Sequence, residues 1–267
     1  MAQIEKGRQA VQSLRARAKA DYVDRGNRIE IDIALLAQRP ARLRLAGENA
    51  LTGPLLTVAT DGEQFHLLDV RENRFMRGTV SPCNMSRILG VNFHPSQLIE
   101  VVMGGTPLLP DGSAAEVGWD PREGGRDVLT LRDARGVSEA IYLQALPVAA
   151  GTGAVAGAVA PSAWDVRAAE GRSADGTVVW RLRHEDYAVQ PLGDSPAAPT
   201  LRLPGVTYLE DPPHKSDVRL RWREREFNPT LEAGLFQLEA PAGVPVEPDT
   251  CAAPRARDGA PGVGQAP

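Results

Sequence analysis

Apolar and polar residues alternate through most of this chain. Ile29, Ile31, Ile33 and Leu35 alternate with Glu30, Asp32 and Ala34, and Leu43 and Leu45 alternate with Arg42 and Arg44. This period-two pattern predicts strands with one buried and one wet face. PLLTVAT (54–60) and EQFHLLDV (63–70) follow, divided by Asp61-Gly62, a pair suited to tight hairpins. Asn73 marks a further turn before RFMRG (74–78). Five short strands with tight connections imply an antiparallel meander. Strands resume with DVLTLRD (127–133) and SEAIYLQAL (138–146). Next come a hairpin of WDVRAAEG and TVVWRLRHEDYAV about Asp175-Gly176, then TLRLPGVTYLED (200–211) and SDVRLRWRERE (216–226). In the last, Val218, Leu220 and Trp222 face one way and Arg219, Arg221 and Arg223 the other.

Three segments carry helical spacing instead. Ile4, Val11, Leu14, Ala18 and Tyr22 predict an amphipathic N-terminal helix. Ser81-Pro82 places an N-cap before a first-turn proline, with Met85, Ile88 and Leu89 on the apolar side of a helix at 82–89. A second short helix, 95–103, carries Leu98, Ile99, Val102 and Met103 and stops at Gly104-Gly105. Two short apolar helices inserted among strands need an apolar surface to cover, and the inner face of the sheet supplies one. The fold class expected is mainly β with a few helices (α+β). One domain spans 1–247, with loop insertions near 106–126 and 147–163, and the Pro/Ala/Gly-rich tail at 248–267 is expected to be disordered.

Composition narrows the function classes. The 267 residues are 42% hydrophobic and carry a formal net charge of −4, which gives no pull toward nucleic acid. No run of apolar residues is long enough to span a bilayer, and the first 19 residues lack the apolar core of a signal peptide. Two readings follow, a cytosolic protein or an exported one in mature form without its leader. Cys83 and Cys251 are too few for a disulfide framework.

Catalytic signals are decoys. Gly151, Gly153 and Gly157 mimic a dinucleotide-binding pattern but lack the helix that would follow, because Pro161 closes the segment. His66, His94, His184 and His214 have no metal spacing and read as surface or strand-face residues. RLRWRERE mixes charges of both signs, so it reads as a solvated strand face. No enzyme activity, cofactor or metal is expected.

The element order and three segments resemble the bacterial lipoprotein carrier and receptor superfamily of LolA and LolB and related uncharacterised lipoproteins. The segments are QRPARLRL, TVATDGEQFHLLDVRENRFMRG and LFQLEAPAGVPV, and the resemblance runs from about residue 4 to residue 247. It implies an open antiparallel half-barrel with an N-terminal helix and a helical lid over an apolar cavity. It further implies that the cavity takes acyl chains of lipoproteins or lipids, for periplasmic carriage or outer-membrane insertion. The strand residues expected to line it are Ile31, Ile33, Leu43, Leu45 and Phe65. Trp180, Leu220 and Trp222 join them from later strands, and Leu98 and Val102 from the lid. Arg39, followed by Pro40, matches the carrier arginine that hydrogen-bonds the lid and gates the cavity. Leu51, in AGENALTGP, matches the receptor's exposed leucine, which assists transfer into the membrane.

The chain thus carries features of both carrier and receptor. The expected partners are acyl chains or lipids, with an envelope protein and the outer-membrane surface as further contacts, no nucleic acid, and a monomeric state. The place expected is the periplasm, or the outer membrane facing the periplasm. The alternative is an envelope sensor or scaffold that uses the same fold to bind a protein partner.

Overall fold

The first strand begins where a helix was expected. In the structure, a computed structural model that describes residues 9–24, 27–81, 84–85, 93–109, 114–122, 125–146, 164–193, 195 and 198–248, Ser13–Asp24 is strand β1. Leu14, Ala16, Ala18 and Ala20 are buried on one face, and Arg15, Arg17 and Lys19 reach the other. Positions 14, 18 and 22 satisfy both periods, and pairing decides between them. β1 is bonded along its whole length to β2 (Asn27–Gln38) on one side and to β15 (Ser216–Phe227) on the other. Ion pairs from Lys19 to Glu30 and Arg15 to Glu226 reinforce both seams. Two long ladders outweigh the modest helix propensity of alternating alanines.

β3 (Arg42–Asn49), β4 (Gly53–Thr60), β5 (Gln64–Asp69) and β6 (Arg74–Thr79) follow as antiparallel neighbours. Their turns use the expected chemistry, with Gly62 and Asn73 at positive φ. Helix α1 (Pro95–Val102) comes next. The segment 106–126, expected to be a loop, contains strand β7 (Ala114–Asp120). β8 (Arg126–Arg132), β9 (Ser138–Ala145), β10 (Trp164–Arg172) and β11 (Val178–Glu185) continue the meander. TLRLPGVTYLED is two strands, β13 (Thr200–Leu203) and β14 (Val206–Asp211), because Pro204-Gly205 interrupts the ladder. β13 forms a separate hairpin with β12 (Ala188–Pro191).

The main sheet has the order β16-β6-β5-β4-β3-β2-β1-β15-β14-β11-β10-β9-β8-β7, open at both ends. The last strand in the chain, β16 (Val246–Pro248), runs parallel to β6, so this stretch is ordered rather than the start of the tail. Residues 147–163, 249–267 and most of the expected helix at 82–89 lie outside the described residues, as do both cysteines.

One face of the sheet carries the main core. Leu14, Ala16, Leu35, Ala37 and Leu43 from one half meet Leu129, Leu131, Ile141, Leu143, Val166, Ala169, Leu182 and Leu209 from the other. Met85, Phe93, the apolar side of α1 and Leu192, Leu201 and Leu203 around the β12–β13 hairpin pack onto this inner face. On the outer face, a 3₁₀ turn at Ala233–Phe236 covers β3 and β4, and Arg44 holds it by donating to Leu235 O (3.0 Å). Phe236 is fully buried there.

Candidate functional site

The strand register decides which predicted lining residues share a face. Ala20 sits between Ile31 and Leu220, and Ala18 between Ile33 and Trp222. Leu35 pairs with Leu45, and Ala37 with Leu43. These side chains therefore lie on one continuous inner surface, as the alternation predicted. Arg221 reaches Asp21 on the opposite face, and Arg219 stacks on Tyr208.

Burial divides this surface in two. Leu43, Leu98 and Val102 are part of the packed core, and Ile33, Trp180 and Trp222 lean against it. Phe65 belongs to a separate cluster with Val58, Leu67 and Met76 and does not meet the others. Ile31, Leu45 and Leu220 are only half-buried, and neighbouring Ile29 is 37% exposed. With Leu56 they form an apolar ledge floored by Ala18 and Ala20. Gly47 makes the ledge continuous, since a Cβ there would come within 3.2 Å of Ile31 and 3.8 Å of Leu56. Beside the core, Trp180 lies flat over Gly171 and meets Phe93 edge-on at 5.5 Å.

Helix α1 is fastened to this face at several polar points. His94 and Gln97 form a reciprocal cap at its start. Arg39 makes a two-pronged ion pair with Glu100 and donates from Nε to Val11 O (2.9 Å). The arginine expected to hydrogen-bond the helix does so through a helix carboxylate, a geometry its planar fork favours. Past the helix, His184 is fully buried, not a surface residue. Its Nε2 lies 3.0 Å from Gly105 O and its Nδ1 3.1 Å from Thr207 Oγ1. Glu139, 1% exposed, accepts from Leu109 N (3.2 Å) and from Thr106. Burial pushes its carboxyl up to about 7, against the smaller opposing pull of the Thr106 and Leu109 hydrogen bonds. Of the other histidines, His94 caps α1, His66 stacks on Phe75, and His214 pairs with Asp211.

Leu51 is 94% exposed at the tip between β3 and β4. Asn49 Oδ1 accepts from the Leu51 and Thr52 amides and shapes the turn that presents it.

Sequence reasoning missed three polar residues of the inner face. Glu139 sits in phase with Ile141 and Leu143, so its burial was readable from SEAIYLQAL. His184 shares a phase with Leu182. Arg225 gave no such signal. A bulge opposite Arg17/Ala18 sends both Arg223, toward Asp32, and Glu224, toward Arg17, to the outer face. Beyond it the parity is reversed, and Arg225, opposite Ala16, points inward.

No family model and no curated protein matches the chain. Solved structures do. A LolA superfamily protein from Nitrosomonas europaea superposes with a TM-score of 0.53 at 12% identity, covering 89% of this chain and 96% of that one. The chain shares its fold with that protein. A putative outer membrane lipoprotein-sorting protein domain from Vibrio parahaemolyticus gives 0.52 at 11% identity, covering 87% of this chain and 94% of its own. A DUF1329 family protein from Desulfovibrio piger gives 0.53 at 9%, covering 87% and 92%. The LolA-like sheet here is open, not closed into a barrel. Among the described residues no helix is long and apolar enough to cross a membrane, and no group of three or more His, Cys, Asp or Glu could hold a metal ion.

Proposed function

We propose that this protein binds acyl chains of lipoproteins or lipids on the inner face of its open sheet, beneath α1, and acts in the cell envelope as a non-enzymatic carrier or receptor. The observation that carries this reading is the ledge of Ile29, Ile31, Leu45, Leu56 and Leu220. It continues the packed core along the same face yet is left half-covered. Half-covered aliphatic side chains gain about 25 cal/mol for each Å² removed from water, and an acyl chain supplies that cover. The lipoprotein-sorting domain with which the chain shares its fold supports the choice of ligand, and the exposed Leu51 supports contact with a lipid surface.

The test is titration of the purified protein with a fluorescent acyl probe, joined to native mass spectrometry of protein isolated from bacterial membranes. Saturable binding and co-purified acyl species are expected. Absence of both would remove the reading. One observation favours the scaffold alternative: edge strand β7 exposes Val117 (81%) and Trp119 (64%). In that case the same spectra would show a protein partner and no acyl species.

A further inference from the structure

Arg225 is an inner-face arginine in an unusual electrostatic position. Its Nη2 donates to Pro204 O (2.5 Å), and its guanidinium lies 4.7 Å from the centre of the Trp222 ring. Its Nε is buried without a hydrogen-bond partner. Arg39, Arg202 and Arg221 are matched by carboxylates, Glu100, Asp165 and Asp21. Arg219, on the outer face, shares the unpartnered Nε and stacks on Tyr208, so what distinguishes Arg225 is its place on the inner face beside the apolar ledge. Among the described residues no carboxylate pairs with Arg225, and Tyr187 is the ionisable group that acts on it.

Burying a charge without a counter-charge is among the costliest arrangements a core can hold. Burial brings the guanidinium down to about 10, which still leaves it cationic at neutral pH. Arg225 lies opposite Ala16 and is half-buried as a residue, so part of its side chain stays accessible although Nε does not. Trp222, whose ring Arg225 contacts, adjoins Leu220 of the apolar ledge two residues further along the strand. A ligand with an anionic head and an apolar chain would satisfy both features together. The head would receive the unused donors in the two-pronged manner that carboxylates and phosphates accept. The chain would lie along Leu220 and Ile31.

We propose that Arg225 recognises the anionic headgroup, carboxylate or phosphate, of the acyl ligand. This inference rests on the acyl-binding reading and narrows it to acidic amphiphiles.

The test compares oleate with oleyl alcohol, which has the same chain and no charge, as competitors of a fluorescent acyl probe. Oleate should bind about tenfold more tightly to the wild type. The ratio should fall toward one in Arg225→Met and persist in part in Arg225→Lys. Equal affinity of the two for the wild type overturns the proposal while leaving acyl binding intact, and needs no variant. Binding of neither removes the acyl reading itself. An Arg225→Met protein that folds and keeps the full oleate preference also overturns it. Inorganic phosphate is the third competitor. Failure to displace the probe is expected for a lipid headgroup site, whereas displacement matching that by oleate would make this a free-anion site and overturn the lipid assignment.

Discussion

Replacing Glu139 with glutamine removes a titrating group from the core while keeping its shape and its acceptor oxygen. The stability difference between wild type and variant should therefore depend on pH. In the folded protein burial keeps the carboxyl protonated up to about 7, whereas the unfolded chain releases its proton near 4.5. Between those values the folded state holds more protons than the unfolded one, so wild-type stability falls as pH rises. Below the window the group contributes no pH dependence, and above it the loss is complete. At 1.36 kcal/mol per pH unit the loss is about 3 kcal/mol.

Glutamine does not titrate, so the variant escapes this loss. It should gain about 3 kcal/mol on the wild type between about pH 5 and pH 8, or roughly 6–10 °C in melting temperature for a chain of this size. His66 and His94 are held down by burial and act with the opposite sign, but both proteins share them and the difference cancels them. The assay is thermal unfolding of both proteins at the two pH values. A melting-temperature difference that stays constant, or a wild type that gains on the variant as pH rises, would refute the burial argument.

Three further outcomes follow from the geometry. Arg39→Ala leaves the Glu100 carboxylate half-buried without its partner, so stability should fall by about 1–3 kcal/mol; amide hydrogen exchange in α1 should speed up, and a double-mutant cycle with Glu100→Gln checks the coupling. Leu51→Glu should leave the melting temperature within about 1 °C of wild type, because the side chain is exposed, while lipid transfer to liposomes falls; unchanged transfer would remove the membrane-contact role. Phe236→Ala should cost about 3–5 kcal/mol in denaturant unfolding, yet in the folded state acyl-probe affinity should hold, since the residue packs on the outer face.

The strands β2 to β6 were legible because alternation and turn chemistry agree at each step. Asp61-Gly62 and Asn73 mark turns between runs whose apolar phase is unambiguous. β1 was not, because Leu14, Ala18 and Tyr22 fit helix and strand equally, and only the ladders to β2 and β15 separate the two. β7 was hidden by its own composition: AAEVGWD offers one clear apolar pair amid glycine and proline. The inner position of Ile31, Ile33, Leu43, Leu45, Leu220 and Trp222 could be read, since each lies before any bulge changes the phase. Arg225 could not, because one extra residue opposite Arg17 inverts the phase without a glycine or proline to announce it. Arg39 was visible as a strand-end arginine, but Glu100 lies 61 residues away and only the packed helix brings it near.

The way α1 is fastened bears on how the inner face could become accessible. Leu98, Ile99, Val101 and Val102 give a non-directional apolar contact, whose loss is graded with distance. The polar ties are directional and fail within about an ångström of displacement. Two of them, His184 to Gly105 and Glu139 to Thr106 and Leu109, lie beyond the end of the helix and involve buried partners. Breaking either would strand a polar group in the core, at roughly 1–3 kcal/mol each. The tie at Glu100 involves side chains that still touch solvent, so water can replace it at lower cost. At the other end, the His94–Gln97 cap closes on the helix, and Gln97 also donates to Pro107 O (3.2 Å), which ties the helix start to the 105–109 segment. The least costly displacement of α1 therefore breaks the part-exposed Arg39–Glu100 pair and the Gln97–Pro107 bond and keeps the buried His184 and Glu139 ties of the 105–109 segment, with Gly104, at positive φ, adjoining the anchored end.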